Sequence, residues 1–296
     1  MYPAALSPHR TTLRHTASNE PLGAAVARKV HCLQKFARRL ALNAVSGARP
    51  ETRVVFILGV QRSGTRVPLV ALESGPDIVT YREGARPFFK GVRLAPEETL
   101  DRLFDECAFP VLVLKPLCES HRAHQLLNRF AGSRVLWIFR GYQDTISSTS
   151  LKWSSGIEVV ERIVNGRLHP DDWRAGGLTP ELLDVARGLY QPSLSLDHAN
   201  AILWYLRSRL LLDLDLFRCA GALVIKYEDL TADPGRHFPR VFQFIGQPLM
   251  ASYLTGIRQN PGRHRSFPAI PERVIEVCET LYNDLDRRYQ QSLGGA

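Results

Sequence analysis

Cysteine is scarce in this chain and follows no pattern. Cys32, Cys107, Cys118, Cys219 and Cys278 are scattered over 296 residues, odd in number and without a CxxC pair. That spacing excludes a disulfide framework or a zinc ribbon and predicts reduced thiols. His31, His121, His124, His169, His198 and His237 form no HxxxH or mixed Cys/His pattern, so no metal is expected. Long apolar runs are also missing. The longest candidates, Val54–Val60 and Ala201–Leu206, are core-sized and far short of the roughly 18 residues that span a bilayer. No apolar stretch with a cleavage site marks a secretory signal, which makes a cytoplasmic protein the expectation and disfavours a Golgi lumen.

Acidic side chains are nearly absent from residues 1–50, where Glu20 stands alone against eight bases. The remaining 246 residues carry 30 bases and 28 acids, so the net charge of +9 belongs mostly to the N-terminal segment. A basic nucleic-acid-binding fold is thereby excluded for the main body, and no nucleic-acid partner is expected. What is present is an ordinary globular composition, 45% apolar and 23% charged. The chain divides into a basic arm and helix over 1–50 and one domain over 51–296. Residues 22–46 read as a basic helix with Val26, Val30, Leu33 and Leu40 on one side. Three uses stay open for it: docking on the domain, peripheral contact with an anionic membrane, or service as a transit sequence. Docking is the simplest.

From residue 52 strand and helix signals alternate. Strands are predicted at Thr52–Leu58, Asp77–Thr80, Pro110–Leu114, Arg134–Phe139 and Ala222–Lys226. Helices are predicted near Thr65–Leu72, Leu94–Cys107, Glu119–Phe130, Asp144–Lys152, from Leu196 onward as an amphipathic segment, and over Pro234–Ile245 and Pro271–Tyr289. The alternation implies an α/β fold, a doubly wound parallel sheet flanked by helices. Arg62, Glu83, Lys115 and Arg140 then fall just past, or at, four successive strand ends. In such a sheet, ligands bind outside the carboxyl ends of the strands. One such residue alone is ordinarily just solvated; four together, three of them cations, point to an anion site.

The segment Gly59-Val60-Gln61-Arg62-Ser63-Gly64-Thr65 joins the first strand to a helix. Free backbone N–H groups and the positive end of the helix dipole would face an anion there. Gly64 permits close backbone approach, and Ser63 and Thr65 add hydroxyls. The spacing is P-loop-like, yet no lysine follows Gly64 and Arg66 replaces the magnesium-binding hydroxyl, which weighs against ATP phosphoryl transfer.

Arg62-Ser63-Gly64-Thr65 resembles the first motif of sulfotransferases that use 3′-phosphoadenosine 5′-phosphosulfate (PAPS). The resemblance extends, in order, over roughly residues 53–290. Arg140 closing a strand, with Ser148 eight residues on, matches the second motif, and Asp144 matches the acid at the helix start. The stretches Val224–Pro234 and Phe242–Pro248 are similar to the family's late region. The resemblance implies a P-loop-like core in which Arg62, Ser63, Gly64, Thr65 and Arg66 cradle the phosphosulfate. Arg140 and Ser148 would take the 3′-phosphate, and Arg263 and Arg265 would close over it. It further implies Glu83 as general base, with Lys115 and Arg62 stabilising charge on the leaving group, and no metal. Glu228 and Asp229 are structural in that family. Three departures bear on the cradle: Gly141-Tyr142 after Arg140, Arg66 after Thr65, and Pro68 inside the first helix, where a kink or a shortened helix is expected.

The function so implied is transfer of a sulfuryl group from PAPS to a hydroxyl or amine of a small-molecule, carbohydrate or glycolipid acceptor. A P-loop kinase and a non-catalytic nucleotide-binding or membrane-docking module are the alternatives. Ser154–Asp197 is where acceptor contacts are expected, and Trp153, Trp173, Trp204 and Tyr205 are aromatic candidates for that pocket or for the core.

Overall fold

The structure is a computed structural model that describes residues 51–169, 171–257 and 269–294, together with Gln34, Lys35, Ala37, Arg39, Ala41, Leu42 and Ala44. Six of the seven residues of β1 (Arg53–Gly59) are buried, as its continuous β-branched and aliphatic run requires. Val54, Phe56 and Leu58 face one apolar cluster while Val55 and Ile57 face the other, so helices cover the sheet on both sides. Each fully buried aliphatic or aromatic side chain of this kind contributes on the order of 1.5–3 kcal/mol.

Five strands form one parallel sheet in the order β2 (Ile78–Arg82), β5 (Val111–Lys115), β1, β6 (Arg134–Phe139), β7 (Ala222–Lys226). β3 (Phe89–Lys90) and β4 (Arg93–Leu94) form a separate antiparallel pair. The strand order reverses at β1: β2 and β5 lie on one side of it, β6 and β7 on the other. The crevice between the carboxyl ends of β1 and β6 is therefore the switch point, where a doubly wound sheet takes its ligand. Gly59 ends β1 with φ 138°, and a Cβ there would collide with the Ile138 carbonyl oxygen. Only glycine lets the two strands stay this close as the chain turns away.

Helix α1 (Arg66–Glu73) begins one residue later than expected. Pro68 occupies its first turn, where no intrahelical N–H bond is made, so the missing donor costs nothing there. β2 runs on to Arg82, which brings Glu83 to the residue immediately past the strand. The stretch predicted as one helix from Glu119 is instead a 3₁₀ turn (Leu117–Arg122) followed by α3 (Ala123–Arg129), with α2 (Glu97–Asp105) preceding β5. Between β6 and β7 lie α4 (Tyr142–Ser150), α5 (Gly156–Val164), α6 (Pro180–Leu189) and α7 (Leu196–Asp213). α7 is not amphipathic: residues on all its sides are buried among neighbouring helices, the mark of a core helix.

β7 passes directly into α8 (Tyr227–Ala232) and α9 (Pro234–Ile245), and α10 (Glu272–Gly294) closes the fold. α10 is tied down by Tyr142 Oη donating to Glu279 Oε2 at 2.8 Å and by the Lys226–Asp286 pair at 2.7 Å. Within the basic segment, Lys35 Nζ donates to the Glu73 and Ile78 carbonyls at 2.8 and 2.6 Å, and Arg39 Nε to the Ala108 carbonyl at 2.9 Å. Among the described residues, no helix is long and apolar enough to cross a membrane.

Candidate active site

A cavity of about 1520 Å³ opens over the carboxyl ends of β1, β2, β5 and β6. That exceeds the roughly 300–1000 Å³ of a typical single-ligand site, leaving room for two molecules side by side. Arg62, Gly64, Thr65, Arg66, Glu83, Lys115, Arg140 and Ser148 all line it, so residues spread over 86 positions are brought together. Arg263 and Arg265 lie outside the described residues.

The β1–α1 loop forms one wall. Ser120 on the 3₁₀ turn clamps its start, accepting from Gly59 N at 3.1 Å and donating to Gly59 O at 3.0 Å. Arg62 holds a left-handed φ of 69°, which costs a non-glycine residue on the order of 1–3 kcal/mol, and strain of this kind collects at functional loops. Its Nε donates to Ser148 Oγ at 3.0 Å, so the first and second motifs are already joined. Ser63 departs from expectation. It is buried at 1% exposure and its hydroxyl donates to the Ile138 carbonyl at 3.0 Å, fastening the loop to β6 instead of facing the cavity.

Gly64 has φ 88°, and a Cβ there would fall within the ring of Tyr227. Tyr227 can therefore pack against the loop only because residue 64 has no side chain. Gly64→Ala is expected to lower stability by about 1–3 kcal/mol, from strain and collision together, and to weaken adenosine 3′,5′-bisphosphate binding. A denaturant melt and a titration check both; a variant matching wild type in each would show that the loop tolerates a side chain.

Arg140 follows β6 and faces the same space. Its Nη2 donates to Asp144 Oδ2 at 2.7 Å and its guanidinium lies 4.4 Å from the Tyr227 ring centroid. Asp144 does lie in the first turn of α4, where Gly141 is the cap residue without a side-chain bond, and its carboxylate orients Arg140. Glu228 supports this corner through Gly141 N, which donates to its Oε1 at 2.9 Å, and burial raises its carboxyl above the ordinary range. Arg140 Nε is buried with no hydrogen-bond partner. An unmet donor on a residue that lines the cavity fits an anionic oxygen.

On the far side, β2 and β5 pair Arg82 with Lys115, which sets Glu83 beside the lysine. Lys115 Nζ donates to Glu83 Oε2 at 3.1 Å, and the Cys118 thiol lies 3.8 Å from Oε1. Burial first, and Glu83 second, push the Cys118 thiol up to about 12, so it stays protonated and donates to the carboxylate. Glu83 thus sits within hydrogen-bond reach of a cation, inside the cavity and across from the phosphate loop.

Residues that sequence reasoning did not single out complete the lining. Arg174 and Arg207 flank Trp173, with guanidinium carbons 4.6 and 5.3 Å from its ring. Trp153 and Trp204 also line the cavity, whereas Tyr205 faces a separate groove. Ser154–Asp197 contributes Trp173, Arg174 and Val159. Arg207 lies in an apolar helical run, and a cation amid Leu206, Leu210 and Leu211 was the available signal. Among the described residues, no cluster of three metal-ligating side chains occurs.

No protein-family model and no curated protein matches the chain. Solved structures similar to it include a sulfotransferase from Alicyclobacillus acidocaldarius, at 17% identity and TM-score 0.45, covering 83% of this chain and 96% of that one. The sulfotransferase domain from the curacin biosynthetic pathway is similar at 14% identity and TM-score 0.47, covering 79% and 99%. A mouse sulfotransferase complexed with PAP is similar at 13% identity and TM-score 0.40, covering 80% and 85%.

Proposed function

We propose that this protein is a PAPS-dependent sulfotransferase that uses Glu83 as general base toward a hydroxyl or amine of its acceptor. The observation that carries the reading is the sharing of one two-ligand cavity by a phosphate-type loop, the Arg140–Ser148 corner and the Glu83–Lys115 pair. The loop N–H groups with Thr65 and Arg66 would hold the 5′ end of the donor, and Arg140 with Ser148 its 3′-phosphate. When bound, PAPS supplies an activated sulfuryl group, whose departure leaves negative charge on a phosphate. Arg62 and Lys115 are cations positioned to stabilise that charge, which grows only toward the transition state. Glu83 Oε1 or Oε2 takes the acceptor's proton, with Lys115 holding the carboxylate in place.

The donor assignment is tested by calorimetry on Arg140→Ala with adenosine 3′,5′-bisphosphate and adenosine 5′-phosphate. Loss of a charge-assisted bond to one phosphate should weaken the bisphosphate by about 10- to 100-fold and leave the monophosphate nearly unchanged. Equal weakening of both ligands removes the assignment. Tighter binding of magnesium-ATP than of the bisphosphate by wild type would favour a kinase.

A further inference from the structure

Arg207 is a charge without a matching partner. It stands on the core helix α7 at 7% exposure, and its Nη1 donates to the Gly176 carbonyl at 3.0 Å. Its Nη2 is buried with no hydrogen-bond partner. The nearest carboxylate acting on it, Glu119, is already engaged by Arg93 and Arg122. Burial pulls the guanidinium down to about 10, which leaves it positive at neutral pH. Isolated buried ions are costly, and a cation kept in a cavity wall calls for an anion that arrives with a ligand.

A second cation stands beside it. Arg174, half-buried and bonded on one side to Asp172 at 3.1 Å, shares the Trp173 ring with Arg207 and lines the same cavity. Cys118 connects this pair to the proposed base: its thiol meets Glu83 and also feels both arginines. The two cations and the carboxylate therefore line one cavity and act electrostatically on the same thiol. The donor-binding residues Arg62 and Arg140 belong to the β1 and β6 ends of the cavity, so this pair is left for the other ligand.

We infer that the acceptor is itself an anion: a hydroxylated molecule whose carboxylate, phosphate or sulfate seats against Arg207 and Arg174 beside Trp173 while its hydroxyl faces Glu83. This rests on the sulfotransferase reading and narrows it to a substrate class. A neutral glycolipid or simple phenol would leave Arg207 unmatched.

The test loads the full chain with adenosine 3′,5′-bisphosphate and then titrates two matched pairs of probes by calorimetry. 4-Hydroxybenzoate is set against 4-hydroxybenzyl alcohol, and glucuronate against glucose. In at least one pair the acid should bind about tenfold or more tightly than its neutral partner, the scale of a hydrogen bond to a charged group. Arg207→Met should erase that preference and Arg207→Lys should restore part of it. Arg174→Gln alters a half-buried side chain with little risk to folding, and should reduce the preference independently. No preference for the acid in either pair, or a preference untouched by both Arg207→Met and Arg174→Gln, overturns the inference. If the bisphosphate itself fails to bind, the donor reading falls instead. The same probes on the unloaded chain then report on the cation pair alone.

Discussion

Glu83→Gln should bind adenosine 3′,5′-bisphosphate as wild type does and lose sulfuryl transfer by about 10²- to 10⁴-fold, the range of removing a positioned proton acceptor. The substitution keeps the shape of the side chain and an oxygen for Lys115, whose Nζ lies 3.1 Å from the native carboxylate. What it removes is basicity. In the proposed reading the donor is held by the β1–α1 loop and Arg140, at other strand ends, so affinity and turnover should separate cleanly. Turnover near that of wild type, measured as bisphosphate released per enzyme with a working acceptor, would end the assignment of Glu83 as base.

Lys115→Met is the second large effect. At the end of β5 this lysine is only 13% exposed in its side chain and is aimed at the cavity by its pairing with Glu83. Removing one preorganised donor to developing charge is expected to lower kcat by about 10²- to 10³-fold in single-turnover assays. Because Lys115 also holds Glu83, the double variant Glu83→Gln with Lys115→Met should fall short of the product of the single losses. Strict additivity would mean the two side chains act apart, and an unchanged kcat would reduce Lys115 to a solvated strand end.

The sheet was readable because its strands are short apolar runs bounded by glycine and proline, and because parallel strands buried on both faces leave no other pattern. The site was readable where a charged residue closes a strand, as with Lys115 and Arg140, or where glycine and hydroxyls crowd a turn, as at 59–65. Other features carry no local signal. Ser63 looks like a ligand in sequence, yet its hydroxyl reaches β6, a contact 75 positions away. Asp144 sits in the first turn of a helix, where an acid would be read as a partner of the helix dipole, yet its carboxylate is bonded to Arg140 one turn back. Arg207 shows in the sequence only as a cation amid leucines, because helical periodicity cannot distinguish a core helix that borders a cavity from one that borders solvent. Its neighbours on α7 are buried on every side, so only tertiary packing reveals which of them meets the open space.

The ring of Tyr227 lies against Gly64 and also beneath the guanidinium of Arg140. One aromatic ring thus touches both the β1–α1 loop and the Arg140 corner, although it comes from the junction where β7 turns into α8. Positions 64 and 227 compete for a single volume and are mutually exclusive as sites for bulk. Among descendants of this sequence, a side chain gained at 64 is opposed twice, by the left-handed φ of 88° and by the ring at 227, and shrinking residue 227 relieves only the second while removing the platform under Arg140.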